Sequence, residues 1–180
     1  PKPEPSREAF LDAFLTQSRV VTPGELDHAP RVLVAPGYPL LVTQGDTIYA
    51  QGLSEETGDR YTIYRLGKTY YREDSPDDRV LLGIEALALG EAVVEELGEL
   101  SRLRVSTANQ EILPGDWLLP APPSRYSLPL LPEPTQEAVA AHIIDVLGES
   151  LRAARFQVVV LDRGEEDGLA EGHRLAIYQT

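Results

Sequence analysis

The sequence contains no cysteine, no methionine and a single tryptophan. Without cysteine, the chain has no disulfides, no thiolate zinc ligands and no cysteine nucleophile. No apolar run approaches the roughly 18 residues that a membrane-spanning helix requires, and no signal peptide is recognisable. Because translation begins with methionine, a chain that starts at Pro1 and contains none is expected to be processed or to be part of a longer protein.

Positive charge is also scarce, since 16 basic residues face 29 acidic ones and the formal net charge is −13. Phosphate backbones and anionic lipid surfaces would repel such a chain, so nucleic acid and membranes are poor candidates as partners. The hydrophobic fraction of 42% is ordinary for a soluble globular protein. A length of 180 residues suffices for one domain or two small ones.

The N-terminal region predicts a linker followed by a helix. The opening PKPEP, residues 1–5, is polar and proline-rich, as interdomain linkers are. Ser6 is a suitable N-cap, and we expect one short amphipathic helix that ends near Arg19 and packs on its own domain. Its apolar residues recur at helical spacing: Phe10, Leu11, Phe14 and Leu15.

From residue 30 onward, short runs of Val, Ile, Leu and Tyr alternate with turn residues at intervals of about eight to twelve, which indicates an all-β fold. The predicted fold class is mainly β, with compact antiparallel β-modules that contain an internal repeat, preceded by the short helix. We expect the linker and helix over 1–30, a first β-module over 31–132 and a second over 133–180. The predicted strands are 31–35, 39–43, 47–52, 60–67, 68–73, 79–87, 90–97, 101–107, 116–121, 141–148, 156–162 and 173–179.

Two connections have a recognisable character. Residues 66–83 are typical of a long hairpin, whose acidic tip at 73–78 lacks the carboxylate spacing of a calcium loop. Residues 120–137 contain six prolines and predict an extended surface connector. Its apolar residues are either pinned to the body of the protein or exposed for a partner: Leu128, Leu130 and Leu131.

Residues 92–120 and 142–178 follow the same plan. Each begins with an apolar strand ending in acid-x-Leu-Gly, continues with a second strand, and closes with Gly, a polar residue and an apolar strand. The closing elements are GDWLL at 115 and GHRLAI at 172, and GDTIYA at 45 is a third. We expect each closing glycine to adopt positive φ and each following polar side chain to satisfy turn amides. These polar residues are Asp46, Asp116 and His173.

The stretch LDRGEEDGLAEGHRLAIYQ, residues 161–179, has three evenly spaced glycines and invites comparison with a phosphate loop. Such a loop requires a helix after its glycines, whereas the residues after Gly172 alternate as a strand does. The sequence therefore predicts structural turns and no cofactor. The turn glycines are Gly45, Gly115, Gly164, Gly168 and Gly172.

No catalytic or metal-binding constellation is recognisable in the sequence. The three histidines, His28, His142 and His173, lie far apart and lack metal-ligand spacing. Adjacent carboxylates such as Glu95 and Glu96 would point to opposite faces of a strand. We therefore expect a protein that is not an enzyme and that carries no metal.

Aromatic residues are concentrated in the strands of the first β region. Tyr and Trp are enriched in interface hot spots, although they are also common strand residues. Possible partner contacts are Phe14, Tyr64, Tyr71 and Trp117.

Several longer motifs occur in a recognisable order. They are FLTQSRVV, GDTIYAQG, YTIYRLGKTY with LLGIEALALGEAVV, STANQEILPGDWLLP and VVVLDRGEEDGLAEGHRLAIYQ. The chain from about Ser6 resembles the C-terminal region of the LysM-containing, secretin-associated proteins of type IV pili. The last part of that region is similar to the C-terminal domain of the flagellar H-ring assembly protein.

The resemblance implies a non-enzymatic periplasmic accessory protein at the outer membrane. It would associate in several copies with the pilus secretin ring, and the family's N-terminal LysM domain, which these residues lack, would bind peptidoglycan. The resemblance supplies no catalytic residues and no contact motif. Alternative functions are a flagellar basal-body component and an envelope protein that binds glycan or processes peptidoglycan.

Overall fold

The computed structural model describes residues 18–34, 41–75, 78–121, 139–147, 158–170 and 173–178. Within these residues the protein is mainly β, with antiparallel sheets and one short helix, which confirms the predicted fold class. The elements are β1 (Arg19–Val21), α1 (Pro23–Leu26), β2 (Thr47–Ala50), β3 (Arg60–Ser75), β4 (Asp78–Glu96), β5 (Ser101–Ala108), β6 (Trp117–Pro120), β7 (Ile143–Val146) and β8 (Val159–Leu161).

The chain divides into two compact units, Pro1–Pro123 and Ser124–Thr180. This division and the predicted module boundary at 132–133 both fall within residues 122–138, which lie outside the described residues. β1 pairs with β4 and α1 buries Leu26 in a core cluster. Residues 19–30, predicted as part of the linker and helix, therefore contribute to the first unit.

The first unit contains a sheet in the order β2-β5-β4-β3-β6, with β1 paired to β4. A segment outside the named strands joins its two edges. The Leu118 amide donates to the Pro30 carbonyl at 2.9 Å, and Leu33 exchanges two backbone hydrogen bonds with Tyr49 at 2.7 and 2.8 Å. The sheet therefore closes on itself as a small barrel. Its core is apolar and is built from residues of β2 to β6 and of the segments between the named strands: Val32, Val42, Ile48, Ala50, Tyr61, Ile63, Leu89, Ala92, Leu103, Val105, Ile112 and Leu118.

The long hairpin predicted over 66–83 is confirmed, but its strands are longer than predicted. The strands expected at 60–67 and 68–73 form the single strand β3, and those expected at 79–87 and 90–97 form the single strand β4. Glycine caused both errors. Gly67 and Gly90 suggested breaks, whereas each lies inside a strand at a point where another group approaches too closely for a side chain.

The continuous strands predicted at 31–35 and 39–43 are wrong for their described residues, 31–34 and 41–43. Isolated bridges at Arg31, Leu33 and Val42 take their place there. The helix predicted from Ser6 lies outside the described residues, and Arg19, its predicted end, begins β1 instead. The described helix, α1, starts at a capping box in which Thr22 and Glu25 bond each other's amides.

The second unit contains a two-stranded antiparallel sheet of β7 and β8, where strands 141–148 and 156–162 were predicted. The closing strand predicted at 173–179 is wrong for the described residues 173–178, which have no regular secondary structure. A strand exists only when its backbone groups meet a partner strand, and the described part of this unit contains no partner for residues 173–178.

Candidate interaction surface

Tyr64 belongs to a core and is not available to a partner in this fold. Its side chain is 2% exposed and packs with Val21, Leu26 and Leu119. Burial raises the pKa of the Tyr64 hydroxyl, although the nearby Arg19 guanidinium opposes this effect. Strand β3 is covered on both faces at this position, so alternation in the sequence did not reveal which tyrosines are accessible.

Tyr71 is the predicted contact residue that the structure leaves accessible. It lies on the distal hairpin, defined here as Thr69–Ser75 and Asp78–Ile84, which continues beyond the last residue of β3 that pairs with β6. Tyr71 is directly opposite Leu81, and their side chains are 44% and 42% exposed. Directly opposite residues share one face of a sheet, so the two side chains form one apolar patch.

A basic residue extends this patch. The Arg79 guanidinium carbon lies 4.4 Å from the centre of the Tyr71 ring, a distance typical of a cation–π contact. Arg79 is two residues before Leu81 on β4 and therefore lies on the same face. The patch combines a rigid aromatic ring, an aliphatic side chain and a positive charge in a chain whose net charge is −13.

A buried carboxylate lies at the base of the distal hairpin. Glu85 is 4% exposed, and its Oε2 accepts the Lys68 amide at 3.2 Å. The carboxylate crosses β3 at Gly67, where a Cβ atom would collide with it. The sequence analysis did not single out Glu85. Two features of the sequence could have indicated it. Glu85 is the one acidic residue in the otherwise apolar run LLGIEALALG, and a glycine, Gly67, lies across from it in the neighbouring strand.

Trp117 belongs to the barrel closure. It starts β6, is bridged by Arg31, and has the Arg31 guanidinium carbon 4.0 Å from its ring centre. The indole is half-buried, and the arginine covers one of its faces. Phe14, the remaining predicted contact, lies outside the described residues.

Two equivalent turns precede β2 and β6. Gly45 and Gly115 have φ of 89° and 92°, the positive values that the closing motif predicts. In each turn the following aspartate accepts the amide three residues earlier: Asp46 Oδ2 from Thr43 at 2.8 Å, and Asp116 Oδ2 from Leu113 at 2.7 Å. A short acceptor at this position replaces a missing backbone partner.

The second of these turns carries an additional ion pair. Arg65 donates to both carboxylate oxygens of Asp116, at 3.0 and 2.8 Å, and to the Glu111 carbonyl at 3.0 Å. The hydrogen bond with Asp116 raises the pKa of the Arg65 guanidinium. This bidentate ion pair connects β3 to the turn before β6. The sequence did not indicate it, because the two residues are far apart in the chain.

The turn glycines of the second unit differ from one another. Gly168 is left-handed with φ of 88°, and Gly164 is extended with φ of −143° before the 3₁₀ turn Glu165–Asp167. Gly172 lies outside the described residues. His173 Nδ1 accepts the Ala170 amide at 3.1 Å, as the aspartates do in the first unit. All three polar residues predicted to satisfy turn amides therefore do so.

A shallow groove of about 480 Å³ lies beside the end of β4. Val94 and Leu97 contribute its apolar part, and acidic residues line the remainder: Glu55, Asp59, Glu95 and Glu96. Arg102 and Arg104 lie 3.4 and 2.5 Å from the Glu95 carboxylate, and the hydrogen bond from Arg104 lowers its pKa. A carboxylate held ionised in this way is poorly suited to act as a general acid.

The histidines have separate environments. His142 Nδ1 lies 3.2 Å from Asp162 Oδ2 in the second unit, His173 accepts a turn amide there, and His28 follows α1 in the first unit. Among the described residues, no three His, Asp or Glu side chains are grouped as metal ligands would be.

Comparison with known proteins yields no match to a protein-family model and none to a curated protein. No helix within the described ranges is both long and apolar enough to cross a membrane. Function is therefore inferred from the surfaces of this chain and from the resemblance of its motifs.

Proposed function

We propose that the chain is a non-enzymatic accessory module that associates, in several copies, with the outer-membrane secretin ring of the type IV pilus machinery in the periplasm. The observation that carries the proposal is the accessible patch of Tyr71, Leu81 and Arg79 on the distal hairpin. The choice of partner rests on the resemblance of the ordered motifs to the secretin-associated family. A LysM domain, which these residues do not include, provides attachment to peptidoglycan in this proposal.

The closed barrel favours contact through side chains. The segment at Pro30–Leu33 already pairs with both edges of the sheet path, so β2 and β6 do not offer open edges for strand addition. Tyrosine buries a large area at low entropic cost, and arginine over its ring adds a donor for polar groups of the partner. One small patch binds weakly, but a ring of identical subunits presents many sites and multiplies the effect.

The proposal is tested by retention of the 180-residue chain on purified pilus secretin, at low and at physiological salt. We expect retention at both, because the contact is largely apolar and only partly electrostatic. Tyr71→Ala should weaken binding roughly 10-fold or more, the usual effect of truncating an aromatic hot spot. Leu100→Ala is the matched control, because Leu100 is 52% exposed and lies outside the distal hairpin.

The possible outcomes separate the parts of the proposal. Absence of wild-type retention contradicts docking by these residues. Retention that neither substitution changes contradicts the distal hairpin as the contact. Retention on isolated peptidoglycan instead of the secretin would support the glycan-binding alternative.

A further inference from the structure

A β-bulge in β3 lies at the base of the distal hairpin. The consecutive pairs Leu66–Ala86 and Thr69–Ile84 are separated by two residues of β3 but by only one residue of β4. One extra residue shifts the alternation of side chains along its strand. Leu66 and Ile84 pack against the same core cluster, and Thr69 shares the face of its partner Ile84. Thr69 therefore lies on the same face as Leu66, whereas regular alternation would place residues three apart on opposite faces.

A second bulge follows in the other strand. Tyr70 pairs with Gly83 and Tyr71 pairs with Leu81, so β4 has one additional residue, Leu82, between these pairs. The first bulge adds a residue to β3 and the second adds one to β4. The two bulges therefore compensate each other in the count of residues, and the pairing beyond them continues in its original register.

Together the bulges reverse the faces of the distal hairpin without changing its register. Tyr71 follows Leu66 by five residues and Leu81 precedes Ala86 by five, so an unbroken ladder would also pair Tyr71 with Leu81. Because five is an odd number, that ladder would place the pair on the face opposite Leu66. With the bulges, the pair lies on the same face as Leu66. The bulges thus determine which of two adjacent tyrosines is accessible, since Tyr71 is 44% exposed and Tyr70 is 7% exposed.

The Glu85 carboxylate holds the first bulge in place. Glu85 is 4% exposed, and its Oε2 accepts the amide of Lys68, one of the two bulged residues, at 3.2 Å. The extra residue of a bulge has no partner in the ladder, and a side-chain acceptor can satisfy its amide instead. The other bulged residue is Gly67, where a Cβ atom would collide with the same carboxylate. Glu85 and its glycine therefore form a built feature of this bulge.

Strand β1 holds the second bulge. A Cβ atom at Gly83 would collide with the side chain of Val20 and lie 2.9 Å from the Val21 carbonyl oxygen. β1 pairs with β4 directly beside this point, from Ile84 to Ala86. Neither Glu85 nor β1 belongs to the distal hairpin. The face that the hairpin presents is therefore set by groups at its base and not by its own exposed residues.

We propose that Glu85 is a positioning residue for partner binding, which stabilises the bulged hairpin over the unbroken ladder. It thereby keeps Tyr71, Leu81 and Arg79 on the accessible face. Without the carboxylate the Lys68 amide loses its acceptor, and the hairpin can relax to the unbroken ladder with no change at its tip. Side chains beyond the bulges would then move to the opposite face. The role in binding rests on the proposed contact with the secretin, but the effect on the hairpin can be measured without it.

The reactivity of a single introduced cysteine tests the effect on the hairpin, because the chain has no other thiol. Tyr71→Cys should react with a maleimide roughly six-fold faster than Tyr70→Cys, in the ratio of the two exposed fractions. Addition of Glu85→Leu, which lacks an acceptor, should equalise or reverse the two rates. Glu85→Gln retains an acceptor for the Lys68 amide and should preserve the order. Glu91→Leu is the matched control, since it removes a carboxylate of β4 that lies outside both bulges.

Equal rates at the two positions without Glu85→Leu, or an order that Glu85→Leu leaves unchanged, overturn the proposal. Trp117 fluorescence reports whether each variant is folded. If Glu85→Leu unfolds the protein, deletion of Lys68 together with Leu82 creates the unbroken ladder directly, and the order of the rates must then reverse. Any other order in the folded deletion variant also overturns the proposal.

Retention on the purified secretin tests the role in binding separately. Glu85→Leu, with Tyr71 intact, should weaken retention about as much as Tyr71→Ala does, and Glu85→Gln should weaken it much less. Reversed thiol reactivity with unchanged retention would contradict the distal hairpin as the contact, and with it the role of Glu85 in binding. Unchanged thiol reactivity would instead contradict the positioning by Glu85, whatever the secretin binds.

Discussion

The two aspartate turns of the barrel allow a matched comparison of one substitution in two environments. Asp46 and Asp116 hold the same turn amide in the same geometry, but only Asp116 also binds an arginine. Asp116 is buried, and its partner Arg65 has a side chain that is about one third exposed. Asp116→Ala should therefore destabilise the first unit more than Asp46→Ala does.

The magnitude follows from the groups that lose a partner. Asp46→Ala removes an acceptor from an exposed turn amide and from the exposed Thr43 hydroxyl, which water can replace, and should cost about 1 kcal/mol in free energy of unfolding. Asp116→Ala removes the same bond and two charge-assisted bonds from Arg65. A fully buried ion pair would cost about 3–5 kcal/mol to break. Water can partly solvate Arg65, so we expect a total of about 2–3 kcal/mol for this variant.

Urea unfolding at neutral pH measures the difference. With an m-value of about 2 kcal/mol/M, the midpoint should fall by about 0.5 M for Asp46→Ala and by about 1–1.5 M for Asp116→Ala, with no change in slope. Far-ultraviolet circular dichroism should accompany Trp117 fluorescence, since the indole lies beside the substituted Asp116. Equal midpoints for the two variants, or full additivity of Asp116→Ala with Arg65→Met, would refute the reasoning.

Two further predictions follow from close approaches and from charge. Gly90→Ala should lower the free energy of unfolding by about 3 kcal/mol or more, because its Cβ atom would collide with the Thr107 carbonyl. Gly98→Ala is the control and should not have this effect, because the atom nearest to its Cβ would be 3.7 Å away. Urea unfolding of both variants checks this. Burial opposes ionisation of Asp162, but hydrogen bonds from His142 outweigh it and hold the pKa of Asp162 below its ordinary value. Its stabilising contribution is therefore present at neutral pH and is lost as pH falls below about 4. In the wild type, protection of the β7 and β8 amides from hydrogen exchange should decrease over this pH range, and Asp162→Asn should reduce that decrease. An unchanged pH dependence in the variant would contradict this assignment.

The sequence carried much of the local structure of this protein. Periodicity located β2 to β8 but missed β1, and it predicted strands at 31–35, 39–43 and 173–179 that the described residues do not form. The glycine–aspartate pairs at 45–46 and 115–116 indicated turns whose bonds the structure confirms. The ends of the strands were harder to predict, because the sequence does not distinguish a glycine inside a strand from a glycine that ends one. Gly67 is required by the Glu85 carboxylate and Gly90 by the Thr107 carbonyl, and both groups are distant in sequence.

The accessible surface was harder to predict than the strands. Tyr64 and Tyr71 lie on the same strand, yet Tyr64 is buried and Tyr71 is exposed. The difference arises because β1, α1 and β6 cover the proximal part of β3, and none of these elements is adjacent to it in sequence. The strand prediction for residues 173–178 was wrong for a related reason. The local sequence pattern is that of a strand, but strand pairing depends on residues elsewhere.

Closure of the barrel by residues 30–33 has a consequence for how the chain folds. The barrel closes only when Arg31 pairs with Trp117 and Leu33 pairs with Tyr49. The first of these pairs joins distant parts of the chain. Proteins dominated by such non-local pairs fold in milliseconds to seconds instead of microseconds. During that interval β2 and β6 present bare backbone edges, and during synthesis the early segment must wait for β6 to emerge. We therefore expect conditions that delay the pairing of residues 30–33 with β2 and β6 to lower the yield of folded protein.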